Sequence, residues 1–322
     1  MQRKGLRGTW FSPTGLTPDG VPTGTKVDRD MAIGRMDSCG VPQVDSALIT
    51  TDPILGAYLD GQELMPRMES QLNRPINMAV AFTDNTTLSA NDFVFWLQWP
   101  GSRKVVVSQT LTQPGWDMNL SAGGTYDAVY SAAVDNLVPY KDRILAVRIG
   151  WEFNVNGGYP WSIGGAGSNQ TPANYAASFN RFALMFRERL PGVLIDWCPL
   201  WDHTLPDAWY PGDDAVDVIG NDVYVKQAFH ANSFTPVLYG TAGLLWQEQF
   251  AQAHGKMMSF PEWAIDYANG ADFIMKMAEW MRKPRSSRVL YQGYWNSNSA
   301  VSTALDDLPL NLAAYKAAFA EL

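Results

Sequence analysis

Ile144-Leu-Ala-Val-Arg-Ile-Gly-Trp-Glu152-Phe-Asn154 opens on a short apolar run and closes on a carboxylate flanked by rings. Such a run reads as a strand buried on both faces, as in parallel sheets. Lys256-Met-Met-Ser-Phe-Pro-Glu262-Trp263 repeats the pattern. A carboxylate at the exit of a buried strand costs free energy unless it is paired, solvated by a cleft or used in chemistry. Outward from these two segments, further apolar runs alternate with longer amphipathic stretches, the signature of βα units. The candidate strands are Met31–Gly34, Ile76–Phe82, Val105–Gln109, Ile144–Ile149, Val193–Cys198, Val216–Ile219, Met257–Phe260 and Val289–Gly293. Candidate helices include Leu88–Leu97, Tyr126–Val138, Pro172–Leu190, Ala242–His254, Asp272–Arg282 and Leu310–Leu322. The third has clear end signals: Thr171 as N-cap, Pro172 in the first turn, and Pro-Gly after Leu190. Eight strands with intervening helices in 322 residues predict an α/β protein, a single (β/α)8 TIM barrel. Residues 1–30, rich in Gly, Pro and Thr, read as an irregular leader packed on the barrel, and 31–322 as the catalytic barrel.

Composition narrows the function. The chain is 46% hydrophobic and 17% charged, which fits a soluble globular protein with a large core. It carries 13 Trp, 13 Tyr and 14 Phe; any one ring is most simply core filler, but so many indoles exceed what a core of this size needs. Sugar rings present flat C–H faces that stack on indole, so the excess favours a carbohydrate cleft. With 24 Lys+Arg against 32 Asp+Glu, a net charge of −8 argues against nucleic acid and anionic membranes. It also disfavours a strongly polyanionic substrate unless a local basic pocket intervenes. No run reaches the roughly 18 apolar residues of a membrane span. The basic start Met1-Gln-Arg-Lys is not followed by the apolar core of a secretion signal. Cys39 and Cys198 have no metal-ligand spacing; two reduced thiols are the simpler reading, and one disulfide stays open. His203, His230 and His254 form no zinc motif, and His230 and His254 are given no role. No metal or cofactor is expected.

In a (β/α)8 barrel the C-terminal strand ends share one mouth. Glu152 would stand just past the fourth strand and Glu262 just past the seventh. Two carboxyl groups about 5–5.5 Å apart are what retaining hydrolysis of a sugar acetal requires.

Several segments carry a resemblance. Ala122-Gly-Gly-Thr-Tyr-Asp127-Ala leads through a helix to Arg148-Ile-Gly-Trp-Glu152-Phe-Asn154, followed by Gly157-Gly-Tyr-Pro-Trp161-Ser-Ile-Gly164. Then come Asp196-Trp-Cys-Pro199, Tyr210-Pro-Gly-Asp-Asp-Ala-Val-Asp217-Val-Ile-Gly220-Asn-Asp222-Val-Tyr224, and the Lys256–Glu262 strand. In this order they resemble glycoside hydrolase clan A, and within it family 26, whose founding members are β-mannanases. Two positions depart from that pattern and mark a divergent member. Trp151 replaces the histidine usually found before the first glutamate, and Pro261 precedes the second where serine is common.

The resemblance implies a β-glycanase acting by double displacement, with Glu152 as acid/base and Glu262 as nucleophile. Tyr224 would position Glu262, and Arg148 would help keep it ionised. Asn154, Asp202 and Asp222 would bond sugar hydroxyls, while Trp151, Trp161, Trp201, Trp263 and Trp295 would line the subsites. The substrate would be a polysaccharide or oligosaccharide: β-mannan, or a β-glucan, xylan or bacterial exopolysaccharide. Such a substrate points to a secreted, periplasmic or cell-surface protein, with the cytoplasm left open. Structural alternatives stand beside these roles. Glu152 forms an ion pair with Arg148 four residues earlier, Glu262 caps the next helix, Tyr224 is core, or the whole barrel binds glycan without cleaving it.

Overall fold

The computed structural model describes the backbone at 35–36 and 42–43, a two-stranded antiparallel pair, and residues 52–84, 88, 94–99 and 101–320. Eight staves close on themselves: β1 (Ile54–Tyr58), β2 (Met78–Phe82), β3 (Lys104–Gln109), β4 (Ile144–Ile149), β5 (Leu194–Trp197), β6 (Val218–Ile219, resumed at Val223–Val225), β7 (Met257–Ile265) and β8 (Val289–Trp295). Each pairs in parallel with the next, and β8 pairs with both β7 and β1, so the cylinder has no free edge. Around it lie α1 (Met65–Leu72), α2 (Val94–Leu97), α3 (Met118–Ala122), α4 (Asp127–Asp135), α5 (Pro172–Arg189), α6 (Phe234–Tyr239), α7 (Leu244–His254), α8 (Ala271–Arg282) and α9 (Pro309–Phe319). Among the described residues β5 and β6 are joined by a 3₁₀ turn, Asp207–Trp209, where the regular barrel has an α-helix. No described helix is long and apolar enough to cross a membrane.

Seven of the expected strands coincide with staves to within a few residues. The expected first strand, Met31–Gly34, and the leader 1–30 lie outside the described residues; the first stave observed is Ile54-Leu-Gly-Ala-Tyr58. Its central glycine disguised it, since Gly weakens a strand pattern. Here glycine is required by packing: a Cβ at Gly56 would lie 2.2 Å from Met78 Cε and 2.8 Å from the Gln292 carbonyl oxygen. Helix α5 begins as expected, with the Thr171 side chain accepting from the Asn174 N–H and Pro172 in the first turn.

Two layers of side chains fill the structure. Alternate strand residues such as Val105, Val107, Val147, Ile195, Trp197 and Met258 pack outward under the helices. The intervening set, including Met78, Val80, Val106, Ala146, Leu194 and Met257, fills the barrel interior. One step further toward the C-terminal ends the interior turns polar, with Ser108, Arg148, Asp196 and Ser259 all fully buried. The register sets Arg148 beside Ser108 on one side and Asp196 on the other. That polar layer is the floor on which the site is built.

Candidate active site

Strand alternation alone would not bring Glu262 into the barrel. In β7 the residues Met258 and Phe260 face outward, so Glu262 should follow them. The register against β8 slips between Phe260 and Trp263, where Phe260 pairs with Gln292 and Trp263 with Tyr294. The strand thus bulges by one residue at Pro261 and Glu262, and beyond it Glu262 points inward while Trp263 packs outward. Proline has no N–H to lose from the ladder, so Pro261 suits a bulge. Glu152 is aimed differently: Gly150 has φ +54° and Glu152 φ +50°, both left-handed, so the chain coils sharply as β4 ends. The Glu152 N–H is donated to the Cys198 carbonyl at 2.8 Å, which fixes this turn to the end of β5. A left-handed glutamate is strained, and such strain collects at functional sites.

Arg148 organises the carboxylates. Its guanidinium, 0% exposed, donates from Nη1 to Glu262 Oε1 at 2.6 Å and to Ser108 Oγ at 3.0 Å, and from Nη2 to Asp222. Burial alone would pull the guanidinium pKa down. Asp222, Cys198, Glu262 and Asp196 more than reverse this, and it stands well above the usual arginine range. The Tyr224 hydroxyl donates to Glu262 Oε2 at 2.6 Å, and the Glu262 N–H is donated to Asp222 Oδ1 at 3.1 Å. Glu262 is therefore held at both oxygens and at its backbone. The ion-pair alternative does not describe what is seen, since Arg148 spends its hydrogen bonds on Glu262, Asp222 and Ser108 rather than on Glu152, whereas Tyr224 is indeed packed in the core while bonding Glu262. The next helix, α8, is capped at Gly270 without any side chain.

Glu152, Asp222 and Glu262 each offer a carboxylate oxygen within 4.8 Å of the others. Arg148 already supplies positive charge to two of the three, so a divalent cation among them would meet a like charge. Glu152 accepts from the Tyr159 hydroxyl at 3.2 Å. Burial first, and the Glu262 charge second, raise its pKa to about 7, against the weaker pull of Arg148, Lys226 and Tyr159. The two glutamates thus sit side by side in unlike settings, one inclined to keep its proton and the other tied to a cation and a phenol. Tyr159, absent from the sequence-derived set although it lies in the Gly/Trp-rich loop, is the direct partner of Glu152.

Several expected sugar contacts need correction. Trp161 and Trp263 are 0% exposed. Trp161 lies under Tyr159 and donates its indole N–H to the Trp151 carbonyl. Trp263 packs among Phe273, Tyr294, Tyr315 and Phe319 beneath the helices. Neither ring can reach a sugar. Asn154 is equally buried and spends its amide on the backbone of Leu200 and Thr204. Asp222 is buried as well, a partner of Arg148 rather than a hydroxyl acceptor. The remaining tryptophans are also largely covered, with Trp151 and Trp201 3% and Trp295 8% exposed. Trp295 stacks on Tyr58 with centroids 3.8 Å apart and meets Tyr224 edge-on; its indole N–H has no partner among the described residues. Trp151 packs between Phe82 and Tyr159, and Trp201 donates to the Tyr224 carbonyl. Asp202 is partly exposed and bonds His230 Nε2 at 2.7 Å, so His230, given no role above, has one as its anchor. Cys198 is a buried free thiol; Cys39 lies outside the described residues.

If Trp161 is structural, Trp161→Ala lowers stability by about 3–5 kcal/mol, the usual cost of deleting a buried indole. Denaturant melts check this; unchanged stability with weakened glycan affinity would restore the ring as a platform.

Residues 148–291 match the family described as glycosyl hydrolase family 26, a stretch that contains Arg148, Glu152, Asp222, Tyr224 and Glu262. A search of curated proteins finds no match. Among solved structures, a modular endo-β-1,4-mannanase from Cellulomonas fimi aligns with TM-score 0.61 and 18% identity, over 92% of this chain and 76% of that one. A β-mannanase from Bacteroides ovatus aligns with TM-score 0.55 and 13% identity, over 86% and 94%. A β-mannanase from a symbiotic protist of the termite Reticulitermes speratus, complexed with a gluco-manno-oligosaccharide, gives 0.56 and 15%, over 86% and 90%. Identities this low speak for the shared barrel, and the family match speaks for the segment that bears the carboxylates. The match over residues 148–291 makes this chain a divergent, family 26-like glycoside hydrolase, and the aligned structures add the barrel alone.

Proposed function

We propose that the protein is a retaining, endo-acting β-mannanase-like glycanase, with Glu152 as acid/base and Glu262 as nucleophile. The observation that carries this reading is the approach of the two carboxylates to within 4.8 Å, one beside the Tyr159 phenol and the other held by Arg148 and Tyr224. A gap that small favours direct attack by a carboxylate over attack by an interposed water.

In the first step Glu152 gives its proton to the glycosidic oxygen as that bond to the anomeric carbon breaks. Glu262 attacks the carbon and forms a glycosyl ester. In the second, Glu152 removes a proton from water, water attacks the same carbon, and the Glu262 ester bond breaks. Arg148 and Tyr224 bind the two oxygens of Glu262 and aim it, and Asp222 holds Arg148. Asp202, partly exposed, and the small uncovered edges of Trp295, Trp151 and Trp201 are the proposed sugar contacts. Mannan is the favoured glycan because the aligned structures named above are mannanases. A polymer of that size does not cross a membrane, so the enzyme would act outside the cytoplasm, secreted or at the cell surface.

The test is incubation with β-mannan, glucomannan, xylan and mixed-linkage β-glucan, following reducing ends, viscosity and the nascent anomer by NMR. The β-anomer appears first, and viscosity falls ahead of reducing-end release. The α-anomer first would overturn retention, and no cleavage at all would overturn the hydrolase. The same assay across pH carries a sign. Glu152 must be protonated to act as acid, so activity falls as pH rises through about 7. A flat profile from pH about 6 to 9 would remove Glu152 from the acid role.

A further inference from the structure

Lys226 follows directly on β6, half-buried, with its ammonium 5.3 Å from the centroid of the Tyr224 ring whose hydroxyl holds Glu262. Its backbone is fixed in a tight turn. The Lys226 N–H is donated to His230 Nδ1 at 2.9 Å, and its carbonyl accepts from the N–H groups of Phe229 and His230. The carboxylates this turn touches are engaged elsewhere: Asp202 bonds His230, and Asp266 Oδ1 accepts the Gln227 N–H. Among the described residues the ammonium has no carboxylate partner. The same turn exposes the Phe229 ring at 79%, an apolar face beside the charge.

The charge of this half-buried ammonium, set over the Tyr224 ring, reaches Glu152 and works against it as a proton donor, because it favours loss of the proton. A bound anion would cancel the conflict. We propose that Lys226 receives a carboxylate carried by the substrate on a sugar adjoining the cleaved bond, either a uronic acid or a pyruvate ketal. The glycan backbone is otherwise neutral, since a net charge of −8 repels a densely anionic polymer. Docking of the carboxylate neutralises Lys226 and keeps the proton on Glu152, so acid catalysis is strengthened when the acidic sugar is in place. This inference rests on the glycosidase reading of the same site.

Calorimetric titration separates the two readings. The ligands are a glucuronic-acid-bearing oligosaccharide and a pyruvate-ketal-bearing one, each beside its carboxyl-reduced counterpart. They are added to the native protein, to Lys226→Met and to Lys226→Arg, with hydrolysis followed in parallel. One of the acidic ligands binds the native protein at least about ten-fold more tightly than its reduced form, as a shielded charge-assisted pair allows. Which of the two does so identifies the source of the carboxylate. Lys226→Met abolishes the preference and Lys226→Arg keeps it. Equal binding of acidic and reduced ligands, or a preference that survives in Lys226→Met, overturns the proposal even if neutral glycans are cleaved. A lysine-dependent preference without any cleavage sustains it and sinks the hydrolase mechanism instead.

Discussion

Glu262→Gln leaves a folded barrel whose kcat is lowered at least about 10³-fold, the scale on which loss of a covalent nucleophile is felt. Glutamine keeps the volume and offers an amide oxygen to Arg148 Nη1 or to the Tyr224 hydroxyl, so the site keeps its shape. It cannot form the glycosyl ester. Arg148 retains Asp222 as its counter-ion, so the buried cation is not abandoned and the melting temperature changes little. Rates on an aryl β-glycoside, together with thermal melts of both proteins, check this. Activity within ten-fold of native would take Glu262 out of the chemistry.

Arg148→Met strikes the fold as hard as the reaction. It strands Asp222, 0% exposed at its side chain, and Glu262, 6% exposed, with no cation between them. Removing one partner of a buried ion pair costs about 3–5 kcal/mol, because the charge left behind remains desolvated. The deficit shrinks on acidification. With Arg148 gone, the two carboxylates facing one another bind a proton more tightly in the folded state than in the unfolded chain. Stability is then recovered as pH falls and lost as it rises. Denaturant titrations at pH 5 and pH 8 measure both the size and the sign. A variant as stable as the native protein at both would mean that Arg148 is not the charge that holds this floor together.

Much of this arrangement was legible in the residues, and the parts that were not have identifiable reasons. The apolar runs gave seven staves because a strand buried on both faces announces itself by composition. Ile54–Tyr58 did not, since Gly56 dilutes the pattern and the need for it lies across the sheet at Met78 and Gln292. The strand-end glutamates stood out because a carboxylate in apolar company demands a reason. Which tryptophans meet solvent was not readable: Trp161 and Trp263 share the composition of a sugar platform but lie under other side chains. Their burial is decided by Tyr159 and by the α8 and α9 residues that cover them. Asp222 was assigned to sugar hydroxyls because its cation, Arg148, is 74 positions away in sequence. Tyr159 carried a signal, a phenol seven positions after Glu152, whereas Lys226 is remote from both glutamates in sequence and only the fold singles it out.

The bulge in β7 gives the gene an off-switch that spares the scaffold. Because Pro261 and Glu262 together stand where a regular strand has one residue, loss of the Glu262 codon would restore plain pleating with the acid gone and Trp263 still packed outward. The cylinder would still close through the pairing of β8 with β1. Lineages that keep such a barrel for sugar capture alone therefore have a short mutational path to it, one that begins with a one-residue gap rather than with replacement of the acid.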